Sequence, residues 1–116
     1  GLSRHDLITP SAVVTLYTYM AKQSKNAQAW RESLTIAGVD GTLANRLKGT
    51  AAEANFRGKT GTIDQVSALS GYMTTAAGEQ LVVSIIVNNV GGPTRTRTSL
   101  ADDIVTALAN FNGKID

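Results

Sequence analysis

Behind Thr9-Pro10, an N-cap followed by proline at the first helical position, Val13, Leu16, Tyr17 and Met20 recur at helical spacing. This pattern predicts a helix over residues 10–22. A polar break over 23–26 precedes a second, shorter helix over 27–34 that carries Trp30. Gly38-Val39-Asp40-Gly41 is a turn signal, and residues 42–47 read as one more helical turn. The period then changes. Residues 66–75 read as a strand, with Gly71 marking a bulge or a close backbone approach. Ala76-Ala77-Gly78-Glu79 is a short hairpin connection. The strongest strand follows, opening at Gln80 and closing at Val90. Leu81, Val83, Ile85 and Val87 line one of its faces, and Val82 and Ile86 make the other apolar, so both sides need covering. Gly91-Gly92-Pro93 ends it. Residues 94–98 read as a polar loop with Arg95 and Arg97. Ser99 reads as the cap of a last helix, with Asp102 as capping-box partner and Leu100, Ile104, Val105, Leu108 and Phe111 as its buried stripe. Helices, then antiparallel strands, then a helix across the sheet give an α+β plan within a single domain, residues 1–116.

Composition narrows the chemistry. Hydrophobic residues make up 42% and charged residues 17%, which argues against disorder. A net charge of +2 leaves little field for nucleic acid or acidic lipid, despite a sequence pI near 9.2. There is no cysteine, and His5 is the single histidine, which argues against a metal site; no cofactor is expected. The longest apolar run, from Leu81 to Val87, is broken by Ser84 and too short to span a bilayer. No signal-peptide pattern is present, and a start at Gly1 without methionine reads as a piece of something longer.

The informative motif is Lys59-Thr60-Gly61, within Asn55-Phe56-Arg57-Gly58-Lys59-Thr60-Gly61-Thr62. Three readings compete. A phosphate loop requires glycine where Glu53 stands and a helix after the lysine, whereas Gly61 and strand follow. A bland reading is an edge-strand lysine with glycines at bends. The third is the Lys-Thr-Gly triplet that enters a sheet beside the serine site of penicillin-binding proteins and class A β-lactamases.

The surroundings favour the third. Gly1-Leu2-Ser3-Arg4, Gly38-Val39-Asp40-Gly41-Thr42-Leu43, Lys48-Gly49-Thr50, Lys59-Thr60-Gly61-Thr62 and Ser67-Ala68-Leu69-Ser70-Gly71-Tyr72 occur in order. Together they closely resemble the C-terminal part of the D-alanyl-D-alanine carboxypeptidase/endopeptidase family, the class C low-molecular-mass penicillin-binding proteins. The resemblance covers essentially the whole chain. It implies a partial penicillin-binding/β-lactamase-like transpeptidase fold, with three antiparallel strands of a five-stranded sheet, flanking helices and a C-terminal helix packed on the sheet. It also implies a serine hydrolase that removes the terminal D-alanine of peptidoglycan stem peptides, is acylated by β-lactams and acts in the periplasm or otherwise outside the bacterial cytoplasm. The chain has no Ser-x-x-Lys, so the nucleophile is expected from the N-terminal portion of the same protein and the 116 residues alone are expected to be inert. The resemblance assigns Lys59 and Thr62 catalytic roles and Thr60 and Gly61 substrate contacts. Lys59 would set a cation beside the serine and the ligand carboxylate. The Thr60 hydroxyl would donate to that carboxylate. Gly61 would let the substrate lie along the strand, and the Thr62 N–H would be one oxyanion donor.

Other features are weaker. Ser24-Lys25-Asn26 matches the family's Ser-x-Asn literally but stands after Gly-Leu-Ser-Arg instead of before it, and reads as a solvated turn. Ser3, His5 and Asp6 are too close in sequence to converge as a triad. Arg57 is either a groove-edge residue or an exposed strand residue. Arg95 and Arg97 read as a solvated loop in place of contacts to anionic wall polymer. Trp30, Tyr17, Tyr19 and Tyr72 read as packing, and Asp40 and Gly41 as turn formers. A second functional class remains: a wall-peptide-binding or assembly module whose strand Gln80 to Val90 offers an open edge for self-association.

Overall fold

The computed structural model describes residues 9–22, 25–63, 66–88 and 93–113. Helix α1 spans Pro10–Lys22 and α2 spans Ala27–Ser33. The α1 start is fixed as predicted, with Thr9 Oγ1 accepting from the Ala12 N–H at 3.1 Å. A short strand β1, Thr35–Ile36, and a 3-10 turn, Gly41–Leu43, lead to the long strands β2, Arg57–Ile63, β3, Val66–Thr74, and β4, Gln80–Asn88. Helix α3, Thr94–Ala109, closes the fold. The sheet is antiparallel throughout, in the order β1-β2-β3-β4. The α+β plan therefore holds, with four strands among the described residues in place of the three expected.

The extra strand is only two residues long, too short to leave a periodic trace in the sequence. Local chemistry makes it. Asp40 Oδ1 accepts the Ile36 N–H at 2.8 Å, and Thr35 Oγ1 donates to Gly58 O at 3.1 Å. Gly41 turns the chain at a φ of 57°, where a side chain would collide with Thr35.

The two faces of the sheet differ. On one, Phe56, Leu43, Leu69, Met73 and Val83 pack against Ala101, Val105 and Ala109 of α3. On the other, Tyr17 of α1 and Tyr72 of β3 form a smaller cluster with Val13, Trp30 and Val82. Both faces of β4 are thus used, as its sequence requires: Val83, Leu81 and Ile85 toward α3, and Val82 toward α1.

Helix α3 corrects the sequence reading at its start, at its capping box and along its buried stripe. It begins at Thr94, behind Pro93 at the N-cap, so residues 94–98 are helix and not loop. Arg97 is 2% exposed and donates to Ser67 Oγ at 3.3 Å and to Thr94 Oγ1 at 3.1 Å. Asp102 lies in the middle of the helix, where it holds Arg46 in a two-pronged pair instead of closing a capping box. The buried stripe is Arg97, Ala101, Val105 and Ala109, while Leu100, Ile104 and Phe111 are exposed. Small alanines face the sheet because the large side chains of β3 and β4 already fill that space. On helix α1, Tyr17 is buried and Leu16 is exposed. Tyr19 is also exposed, so it does not pack as expected. Ser3, His5, Asp6, Ser24 and Val90 lie outside the described residues. Within the described residues no helix is long and apolar enough to cross a membrane.

Candidate active site

The motif lies on β2, and its two halves are held differently. Arg57 and Gly58 pair with β3 on one side and with β1 on the other. From Lys59 to Ile63 the strand pairs with β3 alone among the described residues. Gly58 and Gly71 face each other across β2 and β3 in continuous register, so Gly71 marks a close approach and not a bulge. A Cβ on Gly58 would run into the Ser70 carbonyl and the Phe56 ring. At Gly61 a Cβ would meet only the Ala68 Cβ, at 3.9 Å. Packing explains the first glycine; nothing among the described residues explains the second.

Backbone direction along β2 follows from its hydrogen bonds. Phe56 O accepts from the Ala37 N–H at 2.9 Å, Gly58 O from Thr35 Oγ1 at 3.1 Å, and Thr60 O from Lys59 Nζ at 3.1 Å. Residues 56, 58 and 60 therefore turn their carbonyls away from β3. The two-residue period directs the N–H and C=O of Thr62 the same way, to the open edge.

The pleat separates the side chains. Arg57, Lys59 and Gly61 stand opposite Tyr72, Ser70 and Ala68, on the face carrying α1 and α2. Thr60 and Thr62 are on the other face. Lys59 is exposed, and its ammonium contacts the neighbouring carbonyl of Thr60. Behind it, Ser70 Oγ donates to Tyr17 Oη at 2.8 Å. The Thr60 hydroxyl donates to Thr42 Oγ1 at 2.9 Å, a contact that the turn motif containing Thr42 did not foretell. The structure thus puts Lys59, Thr60, Gly61 and the Thr62 backbone on one edge but divides their side chains between two faces.

Tyr72 anchors the α1/α2 face. It donates to Tyr17 O at 2.6 Å and accepts from Trp30 Nε1 at 2.9 Å. Burial holds its phenol above the usual tyrosine range, while the Trp30 hydrogen bond opposes this, the Tyr17 phenol adds to it, and Arg31 opposes it. Arg57 settles between its two readings: half-buried, it donates to Arg31 O at 3.4 Å and lines a cleft of about 500 Å3 with Lys22, Arg31 and Tyr72. Lys59 does not line that cleft. No three His, Cys, Asp or Glu side chains converge to hold a metal among the described residues.

Comparisons with known proteins bear on the family and the fold. The chain is 45% identical over 118 aligned residues to a D-alanyl-D-alanine carboxypeptidase of Actinomadura sp. (strain R39), covering 97% of this chain and 21% of that protein. It is 37% identical over 90 residues to D-alanyl-D-alanine carboxypeptidase DacB of Haemophilus influenzae, covering 76% of this chain and 19% of that protein. The fold superposes on penicillin binding protein 4 (dacB) of H. influenzae, solved in complex with a novel β-lactam, with a TM-score of 0.82 and 28% identity, over 95% of this chain and 27% of that one. The chain spans about a fifth of the length of these curated relatives. With the D-Ala-D-Ala carboxypeptidase 3 (S13) model matching residues 1–111, the chain belongs to that family.

Proposed function

We propose that the 116 residues are one wall of a serine-type D-Ala-D-Ala carboxypeptidase domain that acts on peptidoglycan stem peptides outside the cytoplasm, with the nucleophile contributed by a segment outside them. The observation carrying this reading is the half of β2 left open among the described residues, where the backbone of Thr60 and Thr62 faces outward and a side chain at Gly61 would meet only the Ala68 Cβ, at 3.9 Å. An extended peptide can add to such an edge by main-chain hydrogen bonds. Lys59 places a fixed cation beside it for the terminal carboxylate, and the Thr60 hydroxyl lies one residue further on. The Thr62 N–H would donate to the oxygen that gathers charge in the tetrahedral intermediate. The serine attacks the penultimate D-alanine carbonyl, D-alanine leaves, and water releases the acyl group. A β-lactam enters the same reaction and stops at the acyl stage.

Labelled penicillin tests the reading. The complete protein is expected to take up one label, the 116-residue chain none, and Lys59→Ala in the complete protein to acylate more slowly. Stoichiometric labelling of the 116 residues alone overturns it, as does unchanged acylation in Lys59→Ala.

A second reading rests on β4. This nine-residue strand pairs only with β3 among the described residues and presents apolar side chains on both faces. An edge of that kind recruits another strand, from the remaining protein or from a second copy. In this reading the chain is a wall-peptide-binding or assembly module. Sedimentation is expected to show self-association of the 116 residues, or a complex with an added N-terminal portion; a monomer at high concentration with no complex rejects it.

A further inference from the structure

The cleft between α1, α2 and the end of β2 lies outside the proposed reaction. Among the described residues its walls carry three cations, Lys22, Arg31 and Arg57, and no acidic side chain. None of the three is ion-paired among the described residues. The cations come from three separate elements, so their convergence is made by the fold and not by a local run of sequence.

The donors are also placed and free to act. Arg31 lies over the Tyr72 ring, 5.3 Å from its centroid, and Tyr72 is held at its hydroxyl by Tyr17 and Trp30. Arg57 is steadied by one hydrogen bond to Arg31 O, which leaves most of its guanidinium N–H groups available. Asn55 offers no competing acceptor: its amide oxygen takes the Thr74 N–H and its nitrogen serves Ala51 O and Thr74 O. The cleft therefore presents donors and positive charge to whatever enters.

We propose that this cleft binds a phosphate group. Three cations on one cleft suit more than the single charge of a carboxylate, whether a free phosphate dianion or successive singly charged phosphates of one chain supply it, and two guanidinium forks suit the paired oxygens of a phosphate. The phosphate is either free or part of a phosphodiester chain.

Calorimetry of the complete protein at constant ionic strength, with chloride as background anion, tests this. Inorganic phosphate is expected to give saturable heat, weakened at least about tenfold in Arg31→Gln/Arg57→Gln. Lys48→Gln, an exposed lysine away from the cleft, is expected to leave binding unchanged. Should the double variant melt early, Arg31→Gln alone serves, because Arg31 is exposed on α2. A glycerol phosphate oligomer run alongside separates the sources: tighter binding than inorganic phosphate identifies a phosphodiester ligand, and weaker binding identifies free phosphate. Absence of saturable heat from both probes overturns the proposal, as does heat that is undiminished in Arg31→Gln.

Discussion

The two halves of β2 differ in how far the chain itself accounts for them. Residues 57 and 58 are held on both sides by strands, and Gly58 is demanded by the Ser70 carbonyl and the Phe56 ring. Among the described residues, 59–62 are held on one side, and neither the glycine at 61 nor the exposed lysine at 59 relieves a clash or fills a space. Stability explains the first half and leaves the second unexplained. The difference teaches where to look for function: at residues whose identity the surrounding packing leaves free.

Substitutions can break that comparison. The largest effect is expected from Thr62→Pro, which deletes an outward N–H. Acylation of the complete protein by penicillin should fall by about 10²–10³, or about 2.7–4 kcal/mol, while the melting temperature moves little because the lost donor bonds no strand. Equal losses of stability and acylation would show that the Thr62 N–H serves the sheet. Next comes Gly58→Ala, expected to cost about 1–3 kcal/mol or more in urea unfolding, because the added methyl meets backbone. Tyr72→Phe, opposite Arg57 in the anchored half, removes both hydroxyl hydrogen bonds and should cost about 1–3 kcal/mol. Tyr72 also gives a pH signature. Its folded pKa is raised, so the folded state keeps a proton that the unfolded state loses first. Its contribution is fully present below the unfolded tyrosine pKa, about 10, and is lost as pH rises through the folded value; Tyr72→Phe should flatten that decline. Smallest in stability is Gly61→Ala, expected within about 0.5 kcal/mol of the parent. Its sharpness lies in the contrast, since acylation of the complete protein should slow at least about tenfold. A Gly61→Ala variant that unfolds readily but acylates normally would erase the distinction between the halves.

Much of the fold was legible because β3, β4 and α1 carry their signals in consecutive residues. Thr9-Pro10 and the apolar run of β4 need no tertiary context to be read. What escaped was set by neighbours. The stripe of α3 was right at Val105 and Leu108 and misplaced elsewhere, because Leu100, Ile104 and Phe111 outweigh alanines in any hydrophobic pattern, yet Ala101 and Ala109 let the helix approach the filled sheet. Arg97 looked solvated until Ser67, thirty residues earlier, supplied its partner. At the site, the motif gave the edge and the residue types. It did not give the division of Lys59 and Thr60 between faces, nor the pairing with Thr42, whose turn was legible but whose approach to β2 was not. The cationic cleft was invisible for the same reason: Lys22, Arg31 and Arg57 are scattered in sequence and meet only when α1 and α2 dock on β3 and β4.

Trp30 is the only tryptophan of the chain, and its indole is tied to Tyr72 and set edge-on to Tyr17 at 5.2 Å. The molecule therefore carries its own optical gauge at the seam between helices and sheet. A shift of its emission to longer wavelength would register the parting of that seam without any attached dye.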